Sequence, residues 1–198
     1  MNNTLALTCL LLAFGTTGLA PAQAADGAPA PSPGTRAALD MQHGTWWNGV
    51  PEDDHSFNCP ENEVLVGRAH NSDENGDTFY RCATVSQNGA QIKFSGIEEY
   101  GPYKESKKDG HRFSCPKDTV LVGRSHAGDE NGSTYYRCAK PLSSHWNDDP
   151  MQVTSQGWSA ETPEPDSSYI CEIPLVLIGR YHKGDENGAS SYECGMMW

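Results

Sequence analysis

Six cysteines beyond residue 50 recur at a fixed interval, and this interval constrains the fold more than any other feature of the chain. Equivalent cysteines lie 56 residues apart, and the two cysteines within each unit lie 23 apart. The three intervening segments align without a gap as CPENEVLVGRAHNSDENGDTFYRC, CPKDTVLVGRSHAGDENGSTYYRC and CEIPLVLIGRYHKGDENGASSYEC, with twelve of 24 columns identical. Such self-similarity indicates internal duplication, so the chain contains three copies of one supersecondary unit.

The even cysteine set predicts a disulfide framework, because paired cysteines at regular spacing are typical of exported chains. The favoured pairs lie within each repeat: Cys59–Cys82, Cys115–Cys138 and Cys171–Cys194. A cyclic pattern that links neighbouring repeats is the alternative. Zinc binding is disfavoured, because no Cys-x2-Cys pair is present.

Each repeat has the pattern of a strand, a turn and a second strand. In the first copy, residues 64–68 are apolar and β-branched, residues 78–82 are their expected partner, and Asn75-Gly76 within the turn is a strong hairpin signal. A short strand around residues 57–59 would bring the first cysteine beside the second. One hairpin cannot bury its apolar face alone, so three must pack together. The predicted fold is all-β, with three disulfide-stapled hairpin repeats in a closed, threefold pseudosymmetric, β-trefoil-like arrangement; a row of three hairpins is the alternative.

The first residues have the pattern of a secretory leader. An apolar run over residues 5–14 precedes a small-x-small cleavage site at residues 22–24. We therefore expect a signal peptide over residues 1–24, a Pro/Ala-rich linker over 25–38, and one three-repeat domain over 39–198, with repeats of about 39–94, 95–150 and 151–198. This organisation predicts a secreted or periplasmic protein with no membrane span.

The charge balance limits the partners of such a protein. The formal net charge is −12, and no basic stripe is present that could bind phosphates. Nucleic acid is therefore not an expected partner. A glycan or an extracellular protein is the expected partner, and a cation could assist.

Upstream of the cysteines, an ungapped alignment extends the repeats toward residue 39. It places Met41, Ile97 and Val153 in one column and Trp46, Pro102 and Trp158 in another. Four tryptophans could also offer stacking faces to sugar rings, although burial explains tryptophan equally well. They are Trp46, Trp47, Trp146 and Trp158.

The candidate ligand-binding residues come from the turn and from the strand before it. Arg68 and His70 are two residues apart, so they share one face of a strand, and the acidic turn follows them. The full set, with its equivalents, is Arg68, His70, Asp73, Asn75, Arg124, His126, Asp129, Asn131, Arg180, His182, Asp185 and Asn187. Asp-x-Asn-Gly resembles the start of many calcium loops, so calcium is a candidate cofactor, with Asp73, Asp129 and Asp185 as its ligands.

A structural role is the alternative for every one of these residues. Asp73 could cap the turn, Asn75-Gly76 could supply its positive φ angles, and Arg68 could pair with an acid of its own or of the next repeat. An open, concave position of these residues would favour binding, whereas burial and mutual pairing would favour the structural role.

Catalysis is the competing class of function. A histidine near an Asp-Glu pair could do acid–base work, as in a secreted hydrolase or toxin. However, binding sites benefit from repetition through multivalency, and no nucleophile motif, H-E-x-x-H or Gly-rich phosphate loop is present. The repetition therefore favours a binding module, with a structural or inhibitor-type partner-binding protein as the second interpretation.

The frame of each repeat resembles that of dermatopontin-type extracellular proteins. The pattern is F-x-C-P-x-x-x-V-L-V-G, then a polar turn, then aromatic-x-C. The matching residues are Phe57, Cys59, Pro60, Val64, Val66 and Cys82, then Phe113, Cys115, Pro116, Val120, Val122 and Cys138. The third copy departs at Glu172, where proline is expected, and Asp-Glu-Asn-Gly replaces the family's Asp-Arg-x-Trp turn. The resemblance implies an extracellular adhesive or sugar-recognising role.

Overall fold

The computed structural model describes residues 38–72, 76–105, 110–128, 132–144, 147–184 and 188–198. Within these ranges sixteen β-strands form three antiparallel sheets, and there is no α-helix, so none that could span a membrane. Residues 36–198 form one compact unit. The predicted all-β, three-part, trefoil-like fold is confirmed, whereas the predicted leader and all but the last residue of the linker lie outside the described ranges.

Each repeat contains four main strands in the same order, together with one or two strands of two residues. The first repeat contains β1 (Leu39–Trp46), β2 (Val50–Pro51), β3 (Asp54–Asn58), β4 (Glu63–His70), β5 (Asp77–Gln87) and β6 (Ala90–Gln91). The second contains β7 (Lys93–Lys104), β8 (His111–Ser114), β9 (Val120–Ala127), β10 (Ser133–Ser143) and β11 (Asp149–Pro150). The third contains β12 (Val153–Trp158), β13 (Thr162–Pro163), β14 (Ser167–Ile170), β15 (Val176–Lys183) and β16 (Ala189–Met197).

The predicted hairpin is present in all three repeats. It pairs β4 with β5, β9 with β10, and β15 with β16, and the upstream strand of the same repeat (β1, β7 or β12) lies on the far side of the second hairpin strand. These elements form because β-branched and aromatic residues alternate along the strands and fill a half-buried pleated surface. We call the sheets of the first, second and third hairpins the first, second and third sheets.

The fourth main strand of every sheet comes from a different repeat. The short strand before the first cysteine pairs with the hairpin of the next repeat: β3 pairs with β9, β8 with β15, and β14 returns to pair with β4. The last of these pairings closes the ring, because it joins the third repeat to the first. The closed arrangement, and not a row of hairpins, is therefore the fold of this chain.

The disulfides join neighbouring sheets within one repeat. The predicted pairs are confirmed. Cys59 follows β3, and its backbone N–H donates to Val122 O in the second sheet, whereas Cys82 lies on β5 in the first sheet. We expected the first cysteine to lie beside its own hairpin through a local strand, but that strand belongs to the next sheet, so each bridge fixes one seam between sheets.

Aromatic stacks reinforce the same three seams. Phe57 on β3 stacks on Tyr80 of β5, with ring centroids 4.4 Å apart and planes at 11°. The other repeats place Phe113 on Tyr136 at 4.5 Å and Tyr169 on Tyr192 at 4.9 Å. Buried aromatic pairs of this kind contribute beyond the area they bury.

A β-bulge in the first strand of every hairpin brings apolar and charged side chains to one interior surface. The register skips Val66, Val122 and Ile178 in the three hairpins. Leu65 and Arg68 are three residues apart and would face opposite sides of a regular strand, but the extra residue lets both line one small cavity. The bulge therefore supplies the geometry on which the candidate site depends.

The upstream segment of the second repeat is displaced by three residues relative to the ungapped alignment. The residues opposite Val85, Pro141 and Met197 are Met41, Phe94 and Val153, so Phe94 and not Ile97 occupies that column. Glu99, not Pro102, is likewise the equivalent of Trp46 and Trp158. Ile97 is 59% exposed, which agrees with the corrected alignment.

Because each disulfide closes a loop between residues 23 apart, its removal should cost about 3 kcal/mol of unfolding free energy. We expect Cys59→Ala/Cys82→Ala to lose about this amount in urea-induced unfolding. The corresponding double variants of the other two bridges should lose similar amounts, since the seams are equivalent. A variant as stable as the parent chain would show that its bridge does not constrain the fold.

Candidate functional site

The arginines and histidines selected from the repeat lie inside the protein. Arg68, Arg124 and Arg180 are each 2% exposed, and His70, His126 and His182 are 3–4% exposed. They project from equivalent positions of β4, β9 and β15 toward the place where the three repeats meet. A ligand outside the protein cannot reach these six side chains. The remaining members of the predicted set, Asp73, Asn75, Asp129, Asn131, Asp185 and Asn187, lie outside the described residues, as do the predicted calcium ligands among them.

The three arginines alternate with three glutamates in a closed ring of ion pairs, which we call the charge ring. Each glutamate contacts the arginines of two repeats. Glu52 contacts Arg124 at 2.8 Å and Arg68 at 3.3 Å; Glu105 contacts Arg180 at 2.6 Å and Arg124 at 3.1 Å; Glu164 contacts Arg68 at 2.7 Å and Arg180 at 2.8 Å. The six formal charges cancel, so the interior of the ring is neutral.

The carboxylates of the charge ring stay ionised despite their burial. Desolvation raises the pKa of a buried carboxyl, but the two guanidinium groups beside each glutamate outweigh it. The pKa of Glu52, Glu105 and Glu164 is consequently held well below the ordinary value of 4.5. Paired charges of this kind are tolerated in a protein interior because each satisfies the other.

Neutral hydroxyl groups complete the coordination of the arginines. Every guanidinium also lies within hydrogen-bonding distance of the tyrosine hydroxyl of another repeat. Arg68 donates to Tyr192 at 3.2 Å, Arg124 to Tyr80 at 3.2 Å, and Arg180 to Tyr136 at 3.4 Å. Arginines, tyrosines and leucines from all three repeats line a cavity of about 20 Å³ beside the ring, which has room for about one water molecule and none for a substrate.

Two histidines near the charge ring are held in the neutral form by burial and by the neighbouring guanidinium of Arg124. His126 donates from Nε2 to the Gly128 carbonyl at 2.9 Å, so its Nδ1 is the acceptor for Arg124 at 3.2 Å. His55 donates from Nδ1 to the Pro51 carbonyl at 2.9 Å, and its Nε2 accepts from the Tyr80 hydroxyl at 2.7 Å. Burial, together with Arg124, lowers the pKa of His126 and lowers that of His55 to about 4.

The charge ring also holds the stems of the three acidic turns. The backbone N–H of each ring glutamate donates to the carbonyl of the glycine that ends the Asp-Glu-Asn-Gly motif. These bonds join Glu52 to Gly76 at 3.1 Å, Glu105 to Gly132 at 3.4 Å and Glu164 to Gly188 at 2.8 Å. On the other side of the turn, His126 and His182 bind the carbonyls of Gly128 and Gly184. The ring glutamates and these histidines therefore hold glycines that flank the acidic motif.

The glutamates of the ring were missed from the sequence. Glu52 and Glu164 occupy the same alignment column, two repeat lengths apart, but Glu105 is three residues out of register with them. The ungapped alignment hid the third member, because the second repeat carries three more residues between its glutamate and its first cysteine. A search for one acid per repeat with that gap allowed would have found all three.

A metal ion does not fit the buried acids of the ring. Donor atoms of Glu52, Glu105 and His126 lie within 4.8 Å of one another. However, Arg124 contacts both carboxylates, so a positive charge already stands between them. Burial and pairing give the ring a structural role, which was the alternative for Arg68 and its equivalents. Whether the turns bind a ligand stays a prediction.

We expect Glu105→Gln to lower the free energy of unfolding by about 3 to 5 kcal/mol, because it leaves two buried guanidinium groups short of one negative charge. Glu99→Gln is the matched control: Glu99 lies on β7, the strand that Glu105 directly follows, and its carboxylate is exposed at the surface in its ion pair with Arg137, so about 0 to 1 kcal/mol is expected. Equal effects of the two changes in urea unfolding would contradict a stabilising charge ring.

Acid should destabilise the protein in two stages. Between pH 6.5 and about 4, His55 is protonated in the unfolded chain but stays neutral in the folded protein. The free energy of unfolding therefore falls as the pH falls, by about 3 kcal/mol for this residue. Below about 4.5, the unfolded chain also protonates glutamates that stay ionised in the ring. Urea midpoints measured from pH 7 to pH 4 should decline less steeply for His55→Gln than for the parent chain. Identical slopes would contradict the neutral, buried state of His55.

Comparison of the chain with family models, with curated proteins and with solved structures found no match.

Proposed function

We propose that this protein is a secreted, lectin-like binding module in which the three Asp-Glu-Asn-Gly turns present related sites for glycans or other cell-surface groups. The observation that carries the proposal is the equal anchoring of the three turn stems. Arg68, His70 and their equivalents act as supports in this proposal, and the turns themselves make the contacts.

The stems of the turns support a presenting role. Every turn begins at the end of one hairpin strand and ends at a buried glycine whose carbonyl binds the N–H of a ring glutamate. Because this hydrogen bond recurs three times around a closed fold, the three turns are anchored at equivalent positions. Three turns with the same sequence and equivalent anchors suit a multivalent surface, since binding through one turn raises the effective concentration of the others.

The composition of the turns supports a polar ligand. Aspartate, glutamate and asparagine supply carboxylate and amide oxygens, and the amide nitrogen also donates. These groups match the hydroxyls of sugars, directly or through a bound calcium ion. The net charge of −12 disfavours anionic ligands and so favours neutral or basic ones.

The leader pattern and the disulfides both support export of this protein. The first 24 residues have the leader pattern, and three disulfides form in the domain that follows. Disulfides persist in oxidising compartments, where a surface-recognition protein would act.

We expect Asn75→Ala, Asn131→Ala and Asn187→Ala each to remove about one third of the glycan-binding capacity and to leave the affinity of the remaining sites unchanged. Avidity for a multivalent surface should fall more than affinity for a free sugar, because fewer turns engage together. The measurements are binding to a glycan array and titration with the best free sugar from that array. A chelator arm tests calcium, since a bound ion would raise the melting temperature by mass action.

Asn88→Ala is the matched control, because Asn88 lies in a turn with a positive φ of its own but outside the repeated motif. Loss of binding from only one of the three variants would contradict three equivalent sites. Binding equal to that of the parent chain in all three variants would favour a structural role for the turns. A single variant that abolishes turnover of a hydrolase substrate would favour catalysis instead.

A further inference from the structure

The outer faces of the three sheets differ at one equivalent position, although the interior is repeated three times. Trp46 in the first sheet, Glu99 in the second and Trp158 in the third lie opposite equivalent residues of the long hairpin strand. The second repeat thus has a short acid where the other two have a large aromatic ring. The residues around this position determine what each face can bind.

An aromatic side chain covers the outer face of the first sheet. A Cβ atom on Gly67 would come within 3.2 Å of the Trp46 ring and 3.1 Å of the Ile170 side chain. Trp46 therefore lies across the strand at Gly67 and against Ile170. The indole fills the space above the centre of this sheet.

The outer face of the third sheet is covered in a similar way. The Arg112 guanidinium lies 4.3 Å from the centre of the Trp158 ring and 5.0 Å from that of Tyr181. The guanidinium thus finds its partners in the two aromatic rings, and the three side chains cover this face of the third sheet.

The second sheet carries an open groove of about 450 Å³ at the corresponding place. Glu99 turns toward Arg137. Strands β3, β9 and β10 contribute to the lining of the groove, which includes Asp54, Ser56, Ser125, Ala127, Tyr135 and Arg137. Volumes of this order are typical of small-molecule sites.

The polar groups of the groove are held in place before any ligand arrives. Arg137 donates from Nε to Glu99 at 2.9 Å, and its Nη1 donates to Ser56 Oγ at 3.1 Å and to Asn58 Oδ1 at 3.1 Å. Its Nη2 lies 3.5 Å from Ser125 Oγ. A guanidinium fixed on both sides loses little conformational freedom on binding, which favours affinity.

We infer that this groove is a further carbohydrate site that takes one pyranose ring, distinct from the three turns although its end at Ala127 borders the second. The Asp54 carboxylate accepts hydrogen bonds from sugar hydroxyls, and the hydroxyls of Ser56 and Ser125 both accept from and donate to them. The half-buried ring of Tyr135 offers an apolar face beside them. The inference rests on the proposed function, because both take a glycan as the ligand.

The test uses the folded domain with the methyl glycosides of glucose, galactose, mannose and N-acetylglucosamine as probes. Titration by amide NMR should shift the signals of Ser125, Tyr135 and Arg137. Glu99→Trp supplies the residue that covers the other two sheets, so it should weaken this binding at least tenfold. Asp54→Asn preserves the shape of the groove and should weaken binding about tenfold through a lost charged acceptor.

Lys140→Trp is the matched control, since Lys140 is exposed on the same sheet but does not line the groove, and it should bind as the parent does. Unchanged binding in both groove variants, or no shift at the groove with any of the four glycosides, would overturn the inference. Asn131→Ala separates the two proposals. If it lowers array binding by about one third while the groove variants have no effect, the turn sites are supported and the groove inference fails. If the groove variants weaken binding while Asn131→Ala has no effect, the groove inference is supported and the turn sites fail.

Discussion

The closed ring of three arginines and three glutamates is the interaction on which the rest of the structure depends. Each glutamate contacts arginines of two repeats, so the ring closes, and all six of its members are paired on both sides, only when all three repeats are in place. A buried charge without its partner is costly, and a complete ring avoids that cost. The ring thus favours one closed assembly over partly assembled alternatives.

Three further contacts act at the seams that the ring joins. A strand of one repeat completes the sheet of the next. A disulfide links the end of that strand to the hairpin of its own repeat, and an aromatic stack packs between the same two sheets. Since all of them connect neighbouring sheets, a single repeat lacks most of its partners. The repeats are units of sequence and of symmetry but not of independent folding.

This construction leaves the turns and the outer faces free to carry function. The interior is repeated closely because the same joint must form three times, whereas the outer faces have diverged at Trp46, Glu99 and Trp158. The cavity beside the ring is too small for a substrate. The turns and the open face of the second sheet are therefore where we propose that recognition takes place.

The sequence by itself determined the triplication, the cysteine pairs and the hairpins, because these depend on contacts within one repeat. The constant spacing of the cysteines predicts the pair Cys59–Cys82, and the strand-turn-strand pattern predicts the pairing of β4 with β5. Only the tertiary structure decided that β3 joins the next sheet and that Glu105 completes a ring with Glu52 and Glu164. Those partners lie far apart in the chain, and a three-residue displacement removes the acid from its repeat column. The physical reason is that a buried charge selects its partner by distance in the folded protein, and a repeat pattern aligned without gaps does not encode that distance.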